Sequence, residues 1–349
     1  MSYREVNGKD IYKLCIRSST LESISVQVCI EAGGFGYVAH QRCDDTIFKE
    51  VDGKDRRKKR VFFLDVNPLC YKGSTPSLHS FADWLFLFFS QVSLTDPVIA
   101  VLDGEGGNDY RRQLLPSYKA HRRKFTRQFY SPQRCKTLPT ISDVLRKCNV
   151  PVVKVQGFEA DDVVATLVDQ VIEKGFRVVI GSPDKDFKQL ISENVQIVMP
   201  MPEFGRWSFY TLKHYMAQYN CDPSCDLSLR CIMGDDVDGV PGIQHLAPGF
   251  GRKTALKLIK KHGSLEKLLN AAAVRTVAKP YAQDALIKHA DFLRKNYQVL
   301  CLKRNVEVHL REEWLSDRNR KNDAAVLSSF VKMLRDSQKR NEMRASFSC

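Results

Sequence analysis

The chain has 349 residues, 43% hydrophobic and 27% charged, a balance that excludes intrinsic disorder and supplies enough apolar material for a core. No window holds the roughly 18 uncharged apolar residues that a transmembrane helix needs. Lys and Arg number 54 against 40 Asp and Glu, and this formal net charge of +14 points to a polyanionic partner, nucleic acid first.

In chain order, residues 1–58 read as a poorly defined N-terminal extension. Its first 55 residues carry seven Lys/Arg against nine Asp/Glu, a poor match to an organelle transit peptide, and it ends in the basic run KDRRKKR. From residue 60 the pattern changes. The apolar runs VFFLDV, PVIAVLDG, VPVVKV, FRVVIGS and VQIVMP predict buried strands. Helical segments are predicted between them at Ser77–Ser93, Ser142–Cys148, Ala160–Lys174 and Asp186–Ile191. Strands alternating with helices predict an α/β domain with a mainly parallel sheet over 59–208. Helix-forming segments then dominate 209–310, 311–349 follows as a C-terminal tail, and its end from Lys332 reads as polar and frayed. The 11 cysteines form no CxxC pair, and Cys221, Cys225 and Cys231 lack zinc-finger spacing, so reduced intracellular thiols are expected.

The carboxylates fall in a pattern. Asp65 and Asp103 close two predicted strands, and ligands of open α/β sheets gather at the carboxyl ends of strands. Either alone could be a turn or a helix cap. Glu159, Asp161 and Asp162 open the apolar helix after GFEADDVVATLV, more carboxylates than capping requires, and such a cluster repels itself unless cations neutralise it. Asp184 and Asp186 follow another strand, and Asp235, Asp236 and Asp238 lie in the Gly- and Pro-bounded loop MGDDVDGVPG. Neither group extends into a calcium loop of EF-hand type. Hard oxygen donors of this kind suit Mg²⁺ or Mn²⁺, and two such ions are the usual clamp for in-line attack on a phosphodiester.

Two basic features accompany them. Residues 110–142 hold no acid and nine Lys or Arg, interleaved with Tyr110, Tyr118, Phe125, Phe129 and Tyr130, a composition suited to a single-strand channel. Further on, PGFGRKTALKLI predicts a glycine hairpin opening a basic helix, whose backbone N–H groups and Lys253 can hold a phosphate without reading bases. It resembles a helix–hairpin–helix of the helix–three-turn–helix kind, and its glycine spacing is not that of a Walker loop.

Taken together, FLDVNPLCYK, VLDGEGGNDYRRQLLPSYKAHR, GFEADDVVATL, GSPDKDFKQL, MGDDVDGVPG and PGFGRKTALKLIKKHGSLEKLL resemble, in order, the motifs of the 5′→3′ exonuclease and flap endonuclease family. That family includes the N-terminal nuclease domain of bacterial DNA polymerase I and stand-alone plant proteins, and the likeness covers about 60–310. It implies a PIN-like (resolvase-like) core with a helical arch at 110–142 and a C-terminal helix–hairpin–helix subdomain. By this resemblance Asp65, Asp103, Glu159 and Asp161 lie near a first Mg²⁺, Asp184, Asp186, Asp235 and Asp238 near a second, and Asp162 close to both. Lys119, Arg122 and Arg111 become the catalytic cations, Lys119 as electrostatic stabiliser. Tyr71, Lys72, Arg112, Arg123, Lys124, Gly249, Gly251, Arg252, Lys253 and Thr254 become DNA contacts, and the hairpin around Gly242–Gly251 a K⁺ site. The implied partner is DNA with 5′ ends or 5′ flaps, in replication and repair. Mitochondrion or chloroplast is the implied location, and the nucleus stays open. Val66 stands where the family usually has Gly and Lys72 where it has Arg, and QHLA lengthens the hairpin. A ribonuclease of RNase H-like or PIN type, and a non-catalytic structure-specific DNA-binding protein, are the alternatives.

Overall fold

The computed structural model describes residues 2–6, 9–14, 26–29, 59–73, 75–120 and 137–346. Two compact units are present, Met1–Gly53 and Lys54–Cys349. In the first, strands β1 (Ser2–Val6), β2 (Lys9–Leu14) and β3 (Val26–Cys29) form an antiparallel sheet in that order. The sequence reading assigned no element there. Hydrophobic alternation is weak in this stretch, so periodicity carried no strand signal.

In the second unit the strands are β4 (Arg60–Asp65), β5 (Tyr71–Lys72), β6 (Thr75–Pro76), β7 (Val98–Leu102), β8 (Val152–Lys154), β9 (Arg177–Gly181), β10 (Val195–Met201) and β11 (Arg206–Tyr210). The helices are α1 (Val66–Leu69), α2 (Leu78–Leu87), α3 (Asp109–Leu114), α4 (Thr137–Lys147), α5 (Ala160–Glu173), α6 (Leu212–Tyr219), α7 (Asp226–Met233), α8 (Arg252–His262), α9 (Leu265–Val274), α10 (Pro280–Lys288), α11 (Ala290–Leu300) and α12 (Asp323–Ser346).

A six-stranded sheet runs in the order β11-β10-β9-β4-β7-β8, parallel throughout except for β11 at one edge. Val61 and Phe63 of β4 pack into one apolar cluster with Val163, Val164 and Leu167 of α5, while Phe62 and Leu64 pack into another with Phe81, Leu85 and Phe88. Burial on both faces is why these strands read as unbroken apolar runs rather than alternating ones. From β4 the chain crosses to β7 and β8 on one side and later returns to β9 on the other. The carboxyl ends of β9, β4 and β7 therefore sit side by side where the direction of winding reverses, the usual crevice of an open α/β sheet.

The expectation of a frayed end from Lys332 needs correction. Asp323–Ser346 is a helix, and Leu327, Phe330 and Leu334 are buried with the α2 cluster, Phe330 meeting Phe81 edge-on with ring centroids 6.2 Å apart. Its apolar residues recur at helical spacing inside a polar stretch, which is what a helix lying on a core needs. No helix among the described residues is long and apolar enough to cross a membrane.

Candidate active site

Three neighbouring strand ends supply the floor. Asp65 is the last residue of β4, and its Oδ2 accepts a 2.8 Å hydrogen bond from Ser182 Oγ, just past β9. Asp103 follows β7 and accepts from Asn67 Nδ2 and, at 2.8 Å, from the Ala160 N–H that opens α5. Asp103 thus caps α5 from another strand, while the residue at the cap position, Glu159, makes no capping bond. Gly104 permits this approach. A Cβ there would lie 1.8 Å from the Val155 carbonyl oxygen. The first turn of α5 then delivers Asp161 and Asp162, both buried.

Lys119 is the cation at the centre. It is 4% exposed, adopts φ 47, and gives its ammonium to Glu159 Oε1 at 2.5 Å beneath the Tyr118 ring, while Tyr118 OH donates to Glu159 Oε2 at 3.1 Å. Burial alone would raise Glu159, yet the Lys119 and Arg111 charges outweigh it and hold the carboxyl below its ordinary range. Burial likewise disfavours charged Lys119, but Glu159, Asp161 and Asp238 keep it firmly protonated. Asp65, Asp103 and Asp161 are pushed up by burial first, and then by Asp103 on Asp65 and by Glu159 on the other two. Such a set of mutually repelling, buried oxygens is the environment that a divalent cation relieves.

A second acidic group docks against this one. The Lys119 N–H donates to Asp238 O at 2.8 Å and Ser117 Oγ to Gly239 O at 2.8 Å, seating the loop before Val240 on the turn that carries Lys119. Gly239 takes φ +70, and a Cβ on it would lie 2.4 Å from Ser117 O, so the contact demands glycine. Asn296 of α11 holds the far end of the same loop, donating to Pro241 O at 2.8 Å. Carboxylate oxygens of Asp186, Asp235 and Asp238 lie within 4.8 Å of one another, a grouping that can hold a metal ion. Asp184 joins the two groups. Burial, then Asp186, pushes it up to about 7, Asp238 adds to the effect, and Asp184 in turn raises Asp65.

The second group already carries cations. Arg230 Nη2 donates to Asp186 Oδ1 at 2.5 Å and to Asp235 Oδ2 at 2.7 Å, and Lys185 pairs with Asp235. Burial would raise Asp235, but these two partners hold it below its ordinary range.

Asp65, Asp103, Glu159, Asp161 and Asp184 are thus brought together around Lys119, with Asp186, Asp235 and Asp238 adjoining. Two of the expected residues are already engaged by other groups. Arg111 was to be a catalytic cation, but it is 2% exposed and all its nitrogens are committed: Nη1 and Nη2 to Asp162 at 2.8 and 2.7 Å, Nη1 also to Glu159, Nε to Val299 O and Nη2 to Cys301 O. Asp162, expected close to both ions, accepts that fork and the Lys303 N–H. The pair is a buried brace between α3, α5 and the segment after α11, a role that charge spacing in a sequence does not distinguish from phosphate binding. Arg122, Arg123 and Lys124 lie outside the described residues, as does most of the expected arch.

Among the expected DNA contacts, Tyr71 and Lys72 form β5 of a short hairpin just after α1, with Lys72 exposed. Arg112 is half-buried and turned toward the Tyr118 carbonyl oxygen. Gly249 takes φ +92 and Gly251 caps α8, whose first residues Arg252 and Lys253 are exposed. Arg252 lies 5.1 Å over the Tyr219 ring, and Thr254 Oγ1 is 3.4 Å from Tyr281 OH. The residues missed from sequence are the holders Asn67, Ser182, Lys185 and Arg230, while Tyr118, expected among the channel aromatics, is buried against Glu159. Asn67, Ser182 and Lys185 sit inside quoted motifs and could have been found there, whereas Arg230 lies in an ordinary amphipathic helix.

Comparison with known proteins places this arrangement. Residues 56–220 match the 5′-3′ exonuclease N-terminal resolvase-like domain, and 222–323 the 5′-3′ exonuclease C-terminal SAM fold. A 5′-3′ exonuclease of Aquifex aeolicus is 30% identical over 254 residues, covering 72% of this chain and 80% of that protein. The chain belongs to the 5′-3′ exonuclease family. It is therefore a hydrolase acting on DNA phosphodiester bonds. DNA polymerase I of Chloroflexus aurantiacus is 31% identical over 268 residues, 74% of this chain but 26% of that one, so the match spans about a quarter of the polymerase. Among solved structures, a phage T5 protein co-crystallised with metal ions shares the fold with TM-score 0.53 and 21% identity, covering 70% of this chain and 90% of that one. The T5 flap endonuclease in a pseudo-enzyme-product complex with DNA and metal ions gives TM-score 0.51 at 21% identity, covering 70% and 89%.

Proposed function

We propose that this exonuclease-family chain is a divalent-metal-dependent 5′→3′ exodeoxyribonuclease and 5′-flap endonuclease, with residues 59–208 as catalytic domain and 209–310 as duplex-binding subdomain. The observation that carries the reading is the convergence of Asp65, Asp103, Asp161 and Asp184, from strand ends and a helix start remote along the chain, around one buried ammonium. Hard oxygens of that number and crowding fit Mg²⁺, with Mn²⁺ as substitute. Asp65, Asp103 and Asp161 would hold one ion, joined by Asp184, which was expected at the second but acts on Asp65. Glu159, expected at the first, is engaged by Lys119. Asp186, Asp235 and Asp238 would hold the second ion. When bound, such ions polarise a phosphoryl oxygen and lower the pKa of a bound water.

The chain's own contribution is then positional. Glu159 orients Lys119, whose fixed positive charge faces the negative charge that develops on the phosphoryl oxygens. Ser182 and Asn67 donate to Asp65 and Asp103, which orients both and favours their charged forms against burial. Arg252 and Lys253, exposed at the start of α8, would grip duplex phosphates, with K⁺ bound by hairpin carbonyls as the family resemblance implies. The T5 enzyme's complex with DNA and metal ions supports the flap reading.

The test is Asp161→Asn combined with Asp184→Asn, assayed on a 5′-flap DNA in Mg²⁺. Cleavage should fall at least about 100-fold. Retention within a few-fold would show that the metal assignment is wrong, and cleavage of the matched RNA flap instead would favour a ribonuclease.

A further inference from the structure

Two buried arginines touch the acidic cup, and they differ in one respect. Arg111 has an acceptor for every side-chain nitrogen. Arg230 serves Asp186 and Asp235 with Nη2 alone, while its Nε and Nη1 are buried without a hydrogen-bond partner. A guanidinium is strongest when its fork is fully matched, and buried donors left unmatched are costly. Arg111 is built to stay. Arg230 is not.

The acceptors that Arg230 occupies are the oxygens of the second acidic group, two of the three carboxylates Asp186, Asp235 and Asp238 that can hold a metal ion. Lys185 shares Asp235 with it. Three carboxylates facing two cations leave the group with little net charge, so it stays closed and compact without any ion. A cavity of about 310 Å³ adjoins the contact, with Arg230, Lys185, Lys188, Tyr219 and Arg252 in its wall, giving a displaced guanidinium room to move.

We propose that Arg230, assisted by Lys185, is a resident counter-ion of the second carboxylate group, which a divalent cation must displace in order to bind there. The inference rests on the reading of Asp186, Asp235 and Asp238 as divalent-ion ligands. Its consequence is asymmetric loading. The ion held by Asp65, Asp103, Asp161 and Asp184 binds without this competitor, and the second binds more weakly because it must first move a charged side chain.

The experiment is a titration of the full chain with Mn²⁺ in the absence of DNA, free ion being counted by electron paramagnetic resonance. Arg230→Leu should tighten the weaker binding step on the order of tenfold, leaving the tighter step in place. Lys185→Ala, whose side chain is 36% exposed and so tolerates truncation, should shift the same step in the same direction by less, and it serves if Arg230→Leu does not fold. An unchanged weaker step in the folded variants overturns the counter-ion role while leaving the metal reading intact. Absence of any second bound ion in all of these proteins overturns both.

Discussion

At the residue scale, the site is governed by how buried charge is compensated. Lys119 compensates several carboxylates at once, while Asp184 remains pushed up to about 7 from an ordinary 3.8. Between those values the folded chain binds a proton at Asp184 that the unfolded chain does not. Stability without metal therefore falls as pH rises through that window, since unfolding then takes place from the more protonated state. A bound divalent ion needs the deprotonated carboxylate, so its affinity should rise over the same range. The melting shift produced by Mn²⁺ should accordingly be larger at pH 8 than at pH 6, and equal shifts would remove Asp184 from the ligand set. Residue identity was legible in sequence where chemistry repeats, as with Asp65, Asp103, Asp161 and Asp184. It was not legible for Arg111 or Arg230, because an arginine within a basic segment or an amphipathic helix gives no sign of whether it faces inward to a carboxylate or outward to a phosphate.

At the element scale, two loops make one site. The turn ending at Lys119 and the loop at Asp235–Val240 lie far apart in sequence and meet through hydrogen bonds from the Lys119 N–H to Asp238 O and from Ser117 Oγ to Gly239 O. Gly239→Ala would place a Cβ 2.4 Å from Ser117 O at a φ of +70. The substitution should cost about 1–3 kcal/mol in urea unfolding, and it should weaken Mn²⁺ binding to the Asp186 group. Unaltered stability would mean that the two loops are not coupled in this way. Elements were well foreshadowed where burial imposes a long apolar run, as in β4, β7 and β9, whose buried residues face apolar clusters on both sides. β11 escaped notice because RWSFY mixes polar and aromatic residues at a sheet edge, and α12 because three buried residues among many charges look like a solvated tail until the surface they cover is known.

At the scale of the whole molecule, a formal net charge of +14 in the sequence stands against a cluster of buried aspartates in the described site. That division lets phosphates be drawn in by long-range attraction while the cup selects for cations. Lys253→Ala should weaken duplex binding about equally across sequences and lower the slope of log affinity against log salt by about 1. A sequence-dependent loss would instead place base readout at α8.

The most direct measurement is a product ladder from a 5′-flap DNA labelled at either end and incubated with Mg²⁺, Mn²⁺ or EDTA. Both metals should yield cuts at the flap junction and progressive shortening from the 5′ terminus, and EDTA none. Cutting that persists in EDTA, or shortening from the 3′ end, would contradict a metal-loaded cup working on 5′ ends.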